Sequence, residues 1–112
     1  MGRSARSTSS PRMRRAVKFL AAAEIEADEG VAWYEERESG LGTKFRESVE
    51  STILSIIDNP FAHPIVEGSR VRRALVDRFP YIVVYTFEIG FILIVSVFHT
   101  SRNPLIWRGR IG

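Results

Sequence analysis

Apolar positions along this chain repeat with two different periods. Between Ala22 and about Glu38, residues Ala23, Ala27, Gly30, Val31 and Tyr34 fall at offsets 0, 4, 7, 8 and 11, the spacing of one face of an α-helix. No proline interrupts the stretch, helix formers dominate it, and its small residues would let a second helix approach closely. Phe45, Val49, Thr52, Ile53 and Ile56 repeat the same offsets, which predicts a second helix over Thr43 to Asp58. Between them, Ser39-Gly40-Leu41-Gly42 supplies a break. Asn59-Pro60 ends the second helix, because proline disfavours the α region for the residue before it. The two helices are expected to form an antiparallel hairpin.

Outside the helices the period falls to that of strands. Ala16 to Leu20 reads as a short first strand, and Val71 to Val76 as a second. In the latter, Val71, Arg73 and Leu75 share one face and Arg72, Ala74 and Val76 the other. Tyr81 to Phe87 and Phe91 to His99 form a hairpin about the turn Glu88-Ile89-Gly90. Both hairpin strands are apolar on both faces, whereas a sheet with one wet face alternates apolar and polar residues. Two helices cover only one face, so the other falls to the C-terminal segment or to a partner chain. The hairpin loop length decides whether Tyr85 and His99 share a face, and the sequence leaves that open. The expected fold is α+β, in the order β-α-α-β-β-β, with the helical hairpin packed on a mainly antiparallel sheet.

At 112 residues the chain has the length of one domain. That domain is placed at residues 16–112. Residues 1–15, rich in Ser and Arg with little to bury, are expected to be a disordered tail or an upstream extension. Charge is segregated along the chain. Met1 to Lys18 has six bases and no acids, Phe19 to Asn59 ten acids and three bases, and Pro60 to Gly112 seven bases and three acids. An acidic helical half and a basic sheet half give one surface that attracts polyanions or acidic proteins.

There is no cysteine, which excludes disulfides, thiol nucleophiles and Cys-based metal sites. No run approaches the roughly 18 apolar residues of a membrane span, and the N-terminus makes a poor signal peptide, so a cytoplasmic protein is expected. The helix acids Glu24, Asp28, Glu29, Glu35 and Glu36 have no accompanying histidine and read as a solvated face. Neither metal nor cofactor is expected, and His63 reads as an exposed loop residue. The chemistry is concentrated in Arg70 to Arg110, where Arg72, Arg73, Arg78, Arg102 and Arg108 lie at or near strand ends together with His99 and Tyr85.

Several short motifs, taken in order, carry a resemblance. They are Trp33-Tyr34-Glu35-Glu36-Arg37, Gly40-Leu41-Gly42 with Phe45, Asn59-Pro60, and Val71-Arg72-Arg73. Arg78-Phe79-Pro80-Tyr81 with Tyr85, and His99-Thr100-Ser101-Arg102-Asn103-Pro104 with Trp107, complete the set. Over Val17 to Arg110 the chain resembles the RelE/ParE superfamily, the toxins of bacterial type II toxin–antitoxin systems, often labelled plasmid stabilisation proteins. The resemblance implies a growth-arresting toxin, neutralised by an acidic, partly disordered cognate antitoxin in a hetero-oligomer.

Members of the superfamily divide by activity. RelE-like toxins cleave messenger RNA on the ribosome without a metal, which requires a base, an acid and cations around the phosphate. By that resemblance Arg73 or Arg72, Arg78 and Arg102 would supply the cations, and His99 the acid or base. Tyr85 would orient the substrate, while Trp107 and Arg108 would contact RNA. ParE-like toxins act on DNA gyrase instead. A chain that has lost toxicity and serves as an antitoxin-binding module or autoregulator of its operon is the alternative.

Overall fold

The computed structural model describes residues 15–66 and 68–111. Helix α1 (Ala21–Arg37) and helix α2 (Leu41–Asp58) form the expected hairpin. They approach at Gly30, where an added Cβ would lie 2.6 Å from Cε2 of Phe45. The absent side chain is what lets that ring seat at the centre of an aromatic cluster with Tyr34, Phe79 and Tyr81.

Helix α2 starts at Leu41, two residues before the expected Thr43, and Glu35 explains why. Its carboxylate accepts hydrogen bonds from the Gly40 amide at 2.9 Å and the Gly42 amide at 3.0 Å. Those amides begin the helix and would otherwise be unpaired. Gly40, at φ 89°, makes the left-handed turn between the helices. Glu35 is therefore a capping residue and not simply a solvated acid. At the other end of α2, Arg15 donates to the Ile57 carbonyl at 2.8 Å, placing a cation at a helix C-terminus. Arg15 is thus anchored, although the sequence assigns it to the tail; residues 1–14 of that tail lie outside the described residues.

The sheet is built from β1 (Ala16–Phe19), β2 (Arg72–Leu75), β3 (Tyr81–Glu88) and β4 (Phe91–His99), in the order β1-β4-β3-β2. Only the β1–β4 pair is parallel. The β3–β4 turn is the two residues Ile89-Gly90, with Glu88 opposite Phe91. Pairing is regular to Tyr85 opposite Ile94 and then shifts, so that Val84 faces Ser96 and Tyr81 faces His99. Val95 is the extra residue of a β-bulge, and it reverses the parity of the pairing. Tyr81, Val83 and Tyr85 consequently share the helix side with Ile92, Ile94 and Val97. Ile82, Val84, Val95 and Phe98 face the other way.

That second face is covered by the chain itself. Val66 and Val71 meet it from the loop before β2, and Trp107 and Ile111 from a short helix α3 (Leu105–Arg108) and the 3-10 turn that follows. Of the two coverings considered from sequence, the C-terminal segment is the one found on this face.

Strand β1 ends at Phe19, and beyond Leu20 the outer edge of β4 has no neighbouring strand among the described residues. Glu26 and Arg110 stand in for one. Glu26 accepts from the Val97 amide at 3.1 Å and from the Ser96 hydroxyl at 2.8 Å. Arg110 donates to the Val95 carbonyl at 3.0 Å and to both carboxylate oxygens of Glu26, at 2.9 and 3.0 Å. The pair closes the sheet edge and fastens the C-terminal segment to α1.

Candidate functional site

A cleft of about 310 Å³ opens between α1 and the far end of the β3–β4 hairpin. Trp33, Tyr34, Tyr81, His99, Arg102 and Glu29 are among the residues that line it. The end of β4 shapes its polar side. The Ser101 amide turns back to donate to His99 Nδ1 at 3.1 Å, with the Ser101 hydroxyl 2.8 Å from the same atom. A backbone amide can only donate, so Nδ1 supplies the lone pair, and the neutral ring carries its proton on Nε2. His99 therefore presents a donor. The next turn brings the Arg102 amide onto the His99 carbonyl at 3.0 Å, which sets Arg102 beside the imidazole.

The other walls are aromatic. The Tyr81 ring meets the His99 ring edge-on at 5.1 Å, and its hydroxyl lies beside Gly30. Burial pushes the phenol pKa of Tyr81 up, neighbouring Tyr34 adds to the rise, and the charge of Arg102 opposes it. Burial raises that of Tyr34 as well. Both hydroxyls keep their protons at neutral pH and are available as donors. Trp33 is about half exposed, with the Arg37 guanidinium 3.4 Å from its ring centre.

His99 and Arg102 are the predicted site residues that meet in this cleft. Tyr85 does not join them: it shares their sheet face but sits four residues along β3 from Tyr81, roughly 13 Å away. It is 0% exposed and its hydroxyl donates to the Pro60 carbonyl at 2.6 Å, so no substrate reaches it. Arg72 is tied to the His63 and Phe61 carbonyls at 2.7 and 3.3 Å, holding the loop before β2. Arg73 is exposed on the edge strand β2 and points to the opposite face. Arg78 occupies the β2–β3 loop at φ 71°, with its side chain 81% exposed near Asp77. Trp107 is buried on the second face, and exposed Arg108 lies against it at 5.3 Å. Tyr85, Arg72 and Trp107 thus lie outside the cleft, Tyr85 and Trp107 buried and Arg72 held on backbone carbonyls.

Sequence reasoning passed over Trp33, Tyr34 and Tyr81 as lining residues. The signal was present, since Glu26, Glu29, Gly30 and Trp33 follow at helical spacing on one face of α1. Among the described residues no group of three or more His, Asp or Glu side chains is placed to hold a metal. Nor is any helix long and apolar enough to cross a membrane.

Burial of Tyr85 also predicts a pH effect. Burial raises its pKa from 10.0 to about 12. A group raised on folding contributes stability that is complete below its unfolded pKa and is lost as pH climbs through the folded one. Stability is therefore expected to fall between about pH 10 and 12. In Tyr85→Phe this part of the alkaline loss should vanish, at a cost of about 1–2 kcal/mol at neutral pH for the unpaired Pro60 carbonyl. Urea melts across that range check it; an unchanged alkaline profile in the variant would refute the assignment.

No curated protein matches the chain. Among solved structures, "Chromosomal ParDE TA system from P. aeruginosa" is similar in fold, with a TM-score of 0.68 at 16% identity, covering 80% of this chain and 99% of that one. A family described as "ParE toxin of type II toxin-antitoxin system, parDE" matches residues 17–104, spanning both helices and all four strands but for the first residue of β1. The chain belongs to the ParE toxin family of type II toxin–antitoxin systems.

Proposed function

We propose that this toxin arrests growth by inhibiting DNA gyrase as a protein ligand, and that a cognate antitoxin neutralises it by direct binding. The observation that carries the gyrase reading is the dispersal of the predicted ribonuclease groups. Cleavage at an RNA phosphate calls for several cations and a base around one point. Here Arg73, Arg78 and Arg102 lie on the edge strand, in the β2–β3 loop and at the end of β4, and Tyr85 is sealed in the core. An inhibitory protein surface needs no such convergence, and the parDE family match agrees with it.

The test is expression of the toxin without its antitoxin, followed by separate readouts. Growth is expected to stop, purified toxin to block supercoiling by gyrase, and messenger RNA to remain full length. Cleaved messenger RNA from the wild type, spared in His99→Ala and Arg102→Ala, would overturn this reading in favour of a ribonuclease. Supercoiling unaffected by excess toxin would remove gyrase as the target.

A further inference from the structure

We propose that the cleft between α1 and the end of β4 recognises a carboxylate, taking one Asp or Glu side chain of a bound polypeptide. The occupant rests on the reading that an antitoxin binds this chain. His99, Arg102, Tyr34 and Tyr81 bring several donors to the lining of one cleft. Ser101 occupies Nδ1 of His99, which leaves Nε2 of the neutral ring to carry the proton. Arg102 is outside every ion pair among the described residues, and the Tyr34 and Tyr81 hydroxyls remain protonated. Trp33, Tyr34 and Tyr81 give walls suited to the aliphatic stem that carries a carboxylate. The volume, about 310 Å³, is ample for one such side chain.

Charge selects a polypeptide over a nucleic acid. Glu29 lies in the same lining and Glu26 is already matched by Arg110, so among the described residues Arg102 is the cleft's one cation outside an ion pair. Glu24 and Asp28 extend the acidity along α1. A strand with a phosphate at every nucleotide would be repelled over this helix, whereas one carboxylate needs only a local cation and oriented donors. A base beside that carboxylate in the partner would meet Glu29.

The experiment has two arms, both on the full chain. In the first, sodium butyrate, a carboxylate on an apolar stem, is titrated while the His99 ring nitrogens and the Trp33 indole are followed by NMR, with inorganic phosphate at matched ionic strength as comparator. Saturable shifts are expected with butyrate and weaker ones with phosphate, and Arg102→Gln should weaken butyrate binding about tenfold. His63, outside the cleft, is the internal reference. Absence of saturation, equal binding of phosphate, or indifference to Arg102→Gln would overturn the proposal. In the second arm the dissociation constant is measured for the polypeptide encoded by the neighbouring reading frame, and a similar tenfold loss in Arg102→Gln is expected. A complex unaffected by that substitution would overturn the site while leaving antitoxin binding intact. Butyrate binding without any complex would uphold the carboxylate site and overturn antitoxin binding.

Discussion

Replacing Arg110 by alanine is expected to lower the free energy of unfolding by about 3–5 kcal/mol, the usual cost of removing one partner from a buried ion pair. The side chains of Arg110 and Glu26 are only 18% and 9% exposed, so solvent does little to screen them. The substitution leaves the Glu26 carboxylate with just the Ser96 hydroxyl and the Val97 amide, and it strips the Val95 carbonyl of its donor. For a domain of this size each kcal/mol moves Tm by roughly 4–8 °C. Thermal melts should therefore show a large drop, and Glu26→Gln in the Arg110→Ala background should recover part of it by removing the orphaned charge. An Arg110→Ala protein melting with the wild type would mean that the pair contributes nothing to closing the edge of β4.

Trp107 gives a second large effect with an internal contrast. It is 3% exposed in the cluster that covers the second sheet face, with Ile82, Val84, Val95 and Phe98. Trp107→Ala opens a cavity there and is expected to cost about 3–5 kcal/mol. Its Nε1 is buried without a hydrogen-bond partner among the described residues, so the indole is held by packing alone. Trp107→Phe sacrifices no hydrogen bond and relieves a desolvated donor, and it should cost less than about 1.5 kcal/mol. Urea unfolding of the two variants separates the cases. If Phe proved as damaging as Ala, the nitrogen would have a role that this packing does not give it.

The helical hairpin was legible because its residues obey local rules. Positions 23, 27, 30 and 34 and positions 45, 49, 52 and 56 repeat at helical spacing, and these are largely the residues found buried or half-buried. The doubly apolar hairpin likewise announced that both sheet faces would be covered. What escaped was long-range. The extra residue at Val95 has no signature among so many apolar neighbours, yet it sets which way His99 and Ser96 point. Glu26 resembles the other acids of α1, and its partner lies 84 residues further on. Glu35 seemed solvated because the amides it caps belong to the next helix. Of the site, His99 and Arg102 were readable as strand-end chemistry, but the remaining arginines share a residue type and not a place.

The strand order bears on when the protein becomes a protein. β4 is the last strand in sequence but an interior one in the sheet, and it joins residues 16–19 to residues 91–94. During synthesis the first strand and both helices emerge before the surface they are to cover, and the Glu26–Arg110 fastening waits for a residue 84 positions further on. Assembly is thereby set by non-local contacts that close late and slowly. Until β4 has emerged, the helical hairpin has no completed sheet to pack on.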